Sequence, residues 1–159
     1  MDYREKKPML RKLMIGTVST AALALSTTAF AQGQFGTAAE AKAMLEKAVA
    51  AVKADKAKAL AMFIKGEGGF KDRDLYPFCF NMTDGKLDAA PPVTIGKDVR
   101  TLKDKTGDAY GQRVYDAAKE GVITEVSYMF PRPGSDTPVA KVSFVTRIGD
   151  EGCGVGYYK

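Results

Sequence analysis

Very few side chains in this sequence could carry out covalent or metal chemistry. The 159 residues contain no histidine and only two cysteines, Cys79 and Cys153. A chain without histidine has no Ser-His-Asp or Cys-His catalytic arrangement, and it lacks the commonest zinc ligand. The two thiols also lack the Cys-x-x-Cys spacing of redox proteins. The composition therefore argues against an enzyme, and it predicts no metal and no cofactor.

Four aspartates, Asp72, Asp74, Asp84 and Asp88, invite comparison with a calcium site. Their spacing is not that of an EF-hand loop. The pair Asp84-Gly85 is typical of a tight turn, which explains one of them without a metal. Nothing in the spacing brings two carboxylates together in a pocket.

Binding is the chemistry that the remaining candidates suit best. Lys141 lies in an apolar strand pattern, where its ammonium could form charge-assisted hydrogen bonds with a carboxylate. The alternative is a lysine at a strand start with its head in water. Arg132, beside a turn, is a second candidate for a carboxylate. Tyr128 and Phe130 share one face of a strand, where aromatics are more typical of a core than of a pocket.

The first 31 residues have the three-part layout of a secretory signal peptide. Basic residues come first, an apolar stretch follows, and Ala29 and Ala31 place small side chains where signal peptidase reads them. The alternative is an uncleaved membrane anchor, but six Ser and Thr residues in the apolar stretch would make a poor spanning helix. We expect a signal peptide over 1–31, one domain over 32–159 that begins with Gln32, and a periplasmic or secreted location.

Export changes how the charges and the cysteines are interpreted. The leader holds five basic and two acidic residues, so it carries most of the net charge of +5. The rest has no concentrated basic patch, which argues against nucleic-acid binding. An oxidising compartment favours a disulfide between Cys79 and Cys153, the one connectivity that two cysteines allow. The alternative is two small buried side chains with free thiols.

The elements that must position these residues follow from periodicity and turn signals. An apolar pattern at helical spacing predicts one long helix over 38–65, ended by a glycine cluster. Strands are predicted at 75–80, 86–90, 122–130, 139–148 and 153–158, with a helix at 110–120 between the second and third. This order indicates an α+β domain with an antiparallel sheet.

Several short motifs, in this order, resemble one known family. They are KDRDLYPFCF at 71–80, DG at 84–85, IGKD at 95–98, KDKTG at 103–107, VSYMFP at 126–131 and KVSFV at 141–145. The run resembles the single Cache domain of type 2, in its small exported stand-alone bacterial form, over about 41–159.

The resemblance implies a PAS-like fold: a five-stranded antiparallel sheet with a long N-terminal helix packed behind it and short helices between strands 2 and 3. The pocket of such a domain lies on the other side of the sheet. The first and last strands are neighbours in that fold, which places Cys79 beside Cys153. Relatives are extracytoplasmic sensor modules, and several bind carboxylates of two or three carbons.

The resemblance also implies a ligand set. Lys141 would meet the carboxylate, Tyr128 would contribute a hydroxyl, and Phe130 and Phe144 would close around the short carbon chain. Relatives often have His-Pro where this chain has Ala90-Pro91, an indole at position 130 and a phenol at position 144. The pocket here would therefore be more apolar and have fewer hydrogen-bond donors.

The leading hypothesis is thus an extracytoplasmic sensor for a small organic acid, which passes its signal to a separate membrane receptor or kinase. The alternative is a periplasmic interaction protein whose helix over 38–65 pairs with another copy or with a membrane receptor, the pocket being vestigial. A hydrolytic or redox enzyme is the weakest class, because the residue types it needs are missing.

The leader gives the first testable prediction. Protein recovered from the periplasm should have the intact mass of a chain that starts at Gln32, because signal peptidase would cut after Ala31. Full-length protein in the membrane fraction would contradict this and would favour an anchored sensor.

Overall fold

A computed structural model of the protein describes residues 33–159. The predicted leader, including Ala29, Ala31 and Gln32, lies outside the described residues and stays a prediction. Within the described part of the chain, no helix is both long enough and apolar enough to cross a membrane.

The helical segment at the start is two helices rather than the one predicted over 38–65. The first, α1 (Ala38–Ala54), begins at a capping box in which Thr37 and Glu40 satisfy each other's backbone N–H groups. The chain becomes extended at Asp55 (φ −160°, ψ 98°), whose side chain accepts from the Lys58 N–H at 3.0 Å. Aspartate prefers such a cap to a helix interior because its carboxylate competes for backbone N–H groups. Apolar periodicity continues across the break, so the pattern alone predicts a single helix.

The second helix, α2 (Lys56–Lys65), ends where the sequence places its stop signal. Gly66 adopts the left-handed conformation (φ 70°), and its N–H reaches the carbonyls of Met62 and Phe63. A side chain at this position would be strained, so glycine is the residue that ends the helix.

Five strands form one antiparallel sheet, as predicted. They are β1 (Pro77–Asn81), β2 (Leu87–Ala89), β3 (Thr124–Pro131), β4 (Pro138–Ile148) and β5 (Glu151–Tyr158). Their spatial order is β2-β1-β5-β4-β3, so the first and last strands are neighbours. A short 3-10 turn (Val99–Thr101) and a third helix, α3 (Tyr110–Ala117), lie between β2 and β3 in the chain. These are the short helices that the resemblance implies.

The two faces of the sheet bury separate sets of side chains. On one face, α1 contributes five buried residues, which pack with sheet residues and the disulfide: Ala41, Met44, Leu45, Ala48 and Val52. We call this the helix face. The other face, which we call the cavity face, packs against α3 and the segment before it. Because side chains alternate along a strand, each strand residue is assigned to one face by its position.

The disulfide lies in the core of the helix face. Cys79 and Cys153 are directly opposite each other in the β1–β5 register and are joined by an S–S bond. Both side chains are fully buried. Since the bond joins strands that are 74 residues apart in sequence, it closes a large loop of the unfolded chain.

A buried carboxylate occupies the end of the same face. Glu151, the first residue of β5, is 1% exposed, and its Oε2 has no hydrogen-bond partner among the described residues. The Lys56 ammonium lies 3.5 Å from Oε1 but only 2.6 Å from the exposed Asp150. Burial, followed by the negative charge of Asp88, raises the pKa of Glu151 to about 7, against the opposing effect of Lys56.

Removing the disulfide should destabilise the domain without changing its fold. Replacing Cys79 and Cys153 by Ala should lower the free energy of unfolding by about 4 kcal/mol, because the unfolded chain gains the freedom of the opened loop. Urea denaturation without reductant measures the change, and dithiothreitol-treated wild type is the matched control. An unchanged midpoint would contradict the prediction.

Glu151→Gln should stabilise the protein, and the gain should depend on pH. The pKa of Glu151 is raised above its ordinary 4.5, so the folded state holds a proton that the unfolded state loses between about pH 4.5 and 7. Stability from this group is therefore present at low pH and is lost as pH rises through that window.

The variant should match wild type near pH 4.5 and exceed it by about 1–2 kcal/mol above pH 7, a discounted figure because Lys56 and nearby solvent screen the charge. Denaturation at several pH values measures this, with Asp150→Asn as the exposed control. A variant less stable than wild type at pH 8 would contradict the role of Glu151 burial.

Candidate ligand-binding site

A cavity of about 50 Å³ lies on the cavity face, between the sheet and the segment that runs from β2 to α3. Its walls are almost entirely apolar or aromatic. The residues that line it are Tyr76, Phe78, Leu87, Ala90, Pro91, Thr94, Val99, Leu102, Tyr110, Val114, Tyr128, Phe130, Lys141 and Gly156. Lys141 is the one residue among them that can carry a positive charge near neutral pH.

The Lys141 ammonium is buried among aromatic rings. The side chain is 3% exposed, and Nζ lies 5.1 Å from the ring centroids of Tyr76 and Phe130 and 4.6 Å from that of Tyr158. We call these three rings the aromatic cage. Nζ has one long hydrogen bond, 3.5 Å to the Tyr158 hydroxyl, and no ion pair with any described carboxylate. Burial lowers the pKa of Lys141 to about 8, and the charge of Asp74 opposes this shift.

A glycine on the neighbouring strand makes room for this lysine. Gly156 is paired with Ser143 in the β4–β5 register. Ser143 lies two residues after Lys141 on β4, so Gly156 and Lys141 lie on the same face of the sheet. A Cβ at residue 156 would lie 2.5 Å from Lys141 Cε and 2.7 Å from Ser143 Oγ. No real Cβ tolerates such contacts, so the Lys141 side chain occupies its position because β5 has no side chain there.

Two tyrosines form one wall of the cavity. The rings of Tyr110 and Tyr128 stack with centroids 4.4 Å apart, and the Tyr128 hydroxyl is 2.8 Å from Ser143 Oγ. Burial raises the pKa of Tyr110 to about 12 and that of Tyr128 still further. Both phenols are therefore neutral at physiological pH and can act as hydrogen-bond donors.

The hydroxyls of Tyr76 and Tyr110 form no hydrogen bond with any residue in 33–159, although both side chains line the cavity. The pKa of Tyr76 is also raised by burial, so this phenol stays neutral. A polar group at the wall of an apolar cavity is stabilised when a partner arrives. These two hydroxyls are available to a ligand.

Three of the predicted site residues line the cavity: Lys141, Tyr128 and Phe130. Each reaches it from the predicted strand. Tyr128 and Phe130, for which the sequence favoured a core position, contribute to both the cavity wall and the packing around it.

Phe144, also predicted for the site, does not line the cavity. Phe144 lies in the core of the helix face and packs against Tyr157, with ring centroids 5.6 Å apart. It is three residues after Lys141 on β4, and an odd separation places two side chains on opposite faces of a strand.

Arg132 does not line the cavity either. Its guanidinium lies 3.8 Å from the Phe35 ring centroid and 5.0 Å from that of Tyr158. These cation–π contacts connect Phe35 in the N-terminal segment with Tyr158, one ring of the aromatic cage.

Sequence reasoning missed Tyr76, Tyr110 and Thr94 as cavity residues. Tyr76 lies just before β1, and it alternates with Phe78 in the manner of a strand, which was a usable signal. Tyr110 and Thr94 belong to the connection between β2 and β3, and its path over the sheet has no periodic signature. The described residues contain no cluster of three or more side chains that could hold a metal ion.

The sequence model of one family, the Cache domain, matches residues 37–152. The chain therefore belongs to the Cache domain family, a class of sensor module. No curated protein matches the chain.

Three solved structures with a similar fold come from chemosensory proteins. A methyl-accepting chemotaxis protein from Vibrio parahaemolyticus RIMD 2210633 superposes with a TM-score of 0.59 at 22% identity, over 76% of this chain and 86% of its own. The periplasmic sensor domain of a chemotaxis protein gives a TM-score of 0.56 at 22% identity, over 74% and 86%. A Cache chemosensory domain described for carboxylic acid recognition gives 0.55 at 23%, over 74% and 84%. At these identities the likeness establishes the fold alone.

Proposed function

We propose that this protein is an exported sensor domain that binds a short monocarboxylate in the cavity, with Lys141 as the residue that meets the carboxylate. The observation that carries the proposal is the burial of the Lys141 ammonium without a bonded counter-ion. A charge taken out of water is costly unless it is paired. An anionic ligand would supply the missing pair.

The surroundings of Nζ in the aromatic cage favour an anionic ligand over a cationic one. Ring faces partly stabilise the ammonium by cation–π attraction, but they cannot accept the strong hydrogen bonds that its three donors can make. A carboxylate satisfies two or more of these donors at once. The free hydroxyls of Tyr76 and Tyr110 would donate to its remaining lone pairs.

The size and charge of the cavity limit the ligand. About 50 Å³ holds roughly four water-sized groups, which matches an acid of two carbons such as acetate and sets acids of three carbons, pyruvate- or lactate-like, as the upper limit. The lining residues provide one cationic group, so a second carboxylate would be buried without a partner. The apolar walls suit a short carbon chain.

The similar structures support this choice of ligand class and of setting. One of them is described for carboxylic acid recognition, and two belong to chemotaxis proteins. We place the domain on the extracytoplasmic side, after cleavage of the leader, and infer that it reports to a separate membrane receptor or kinase.

A thermal-shift screen with and without the lysine tests the ligand. The exported wild type should show a melting temperature raised by about 3–8 °C at saturating acetate, propionate, pyruvate or lactate, since a ligand at a hundred times its Kd adds about 2.7 kcal/mol. Lys141→Met should abolish the shift. The exposed Lys86 is the matched control, and Lys86→Met should keep the shift.

The stability of Lys141→Met without ligand is a second test. Lys141→Met should be at least as stable as wild type without ligand, because it removes a buried charge and fills similar space. If no acid raises the melting temperature of wild type, the carboxylate sensor is excluded and the interaction-protein alternative gains. If an acid shifts Lys141→Met equally, Lys141 is not the anion ligand.

A further inference from the structure

A second buried charge lies close to the cavity but does not line it. Asp74 is 4% exposed and precedes β1, two residues before Tyr76. Its Oδ1 accepts from the Gly36 N–H at 2.6 Å, and its Oδ2 has no hydrogen-bond partner among residues 33–159. A buried carboxylate oxygen without a hydrogen bond is stabilised by a positive charge nearby.

Lys141 is a second buried charge without an ion pair among the described residues, and its Nζ lies 5.1 Å from the ring centroid of Tyr76, which is two residues after Asp74. The adjacent Arg73 is already engaged by Glu40 and Asp72, each at 2.6 Å. The charge of Asp74 acts on Lys141 and also on Tyr76 and Tyr158, the two tyrosines of the aromatic cage. Asp74 thus acts on Lys141 through space and forms no hydrogen bond or ion pair with it among residues 33–159.

The other ionisable groups around Lys141 do not take this role. Tyr110, Tyr128 and the cage tyrosines are neutral phenols. A cleft beside Lys141 contains Asp104, Asp108 and Lys159. Asp108 is paired with Arg113 at 2.7 Å, and Asp104 accepts from the Thr106 hydroxyl at 2.6 Å. Arg132, behind the cage, carries the same sign as Lys141 and cannot balance it.

We propose that Asp74 is a positioning residue that keeps Lys141 in its ammonium form in the empty cavity, so that the site is ready for an anion. The inference rests on the proposed function. Burial alone would favour the neutral amine, which cannot form an ion pair with a carboxylate. Asp74 opposes this from beyond bonding distance, which leaves the donors of Nζ free for the ligand's carboxylate.

The pH dependence of ligand affinity tests the proposal. The Kd for acetate or propionate, measured by calorimetry from pH 6 to 9.5, should be constant at low pH in wild type and should rise above about pH 8, where Lys141 loses its proton. Asp74→Asn keeps an oxygen for the Gly36 N–H but removes the charge. The affinity of Asp74→Asn for the acid should begin to fall at a pH that is lower than in wild type by roughly half a unit or more.

Asp72→Asn is the control, because Asp72 is the neighbouring acid but is held by Arg73 at the surface. It should follow the wild-type profile. At pH 6, where Lys141 is protonated in all three proteins, Asp74→Asn should bind at least as tightly as wild type, since it no longer repels the arriving anion. If Asp74→Asn does not fold, Asp74→Ser makes the same test.

A profile for Asp74→Asn that coincides with wild type would overturn the proposal. If no acid binds to any of the proteins, the proposed function fails, but the role of Asp74 is still tested without ligand. The Lys141 Cε resonance, assigned by its loss in Lys141→Met, should titrate at a lower pH in Asp74→Asn than in wild type. Equal midpoints in that NMR titration would also overturn the proposal.

Discussion

The Nζ of Lys141 lies among three aromatic rings on the cavity face, and its burial imposes a requirement on each element around it. A side chain at position 156 of β5 would displace the lysine stem, because its Cβ would lie 2.5 Å from Lys141 Cε. The segment before β1 must bring Tyr76 to one side of the ammonium, and the end of β5 must bring Tyr158 to the other. Four segments of the chain thus meet around one charged side chain.

The helix face contains the covalent bond between two strands of the sheet. α1 packs on β4 and β5 over a core that includes a fully buried disulfide between adjacent strands. On the cavity face, the unfilled space and the buried charge of Lys141 both reduce stability. The disulfide joins β1 and β5 from the helix side, while the cavity face holds an unfilled space and an ammonium without an ion pair in the described part of the chain.

Sequence patterns predicted the features of this fold that depend on local rules. Strand alternation, the stop at Gly66 and the paired cysteines all appear where they were expected. The first two follow from backbone geometry, and two cysteines allow one pairing. The resemblance to Cache domains added the strand order. The break at Asp55 was missed because a capping aspartate leaves the apolar periodicity of the helix unchanged.

The candidate site was harder to predict because it joins residues from distant segments. Lys141, Tyr128 and Phe130 were accessible through strand alternation, and the same rule, applied between residues 141 and 144, excludes Phe144 from the cavity. Tyr110 could not be found in this way. It comes from α3, and only the three-dimensional path of the connection between β2 and β3 brings it onto Tyr128.

Two buried ionisable groups, one on each face, act on stability in opposite directions as pH changes. The raised pKa of Glu151, about 7, means that its contribution to stability is lost as pH rises from about 4.5 to 7. The lowered pKa of Lys141, about 8, means that the unfolded chain binds more protons between about pH 8 and 10.5, so stability rises with pH there. Between about pH 7 and 8 the empty protein therefore carries both unfavourable charges in large part. An anion at Lys141 offsets one of them while leaving Glu151 unchanged, so in this pH range occupancy of the cavity relieves electrostatic strain on one face of the sheet only.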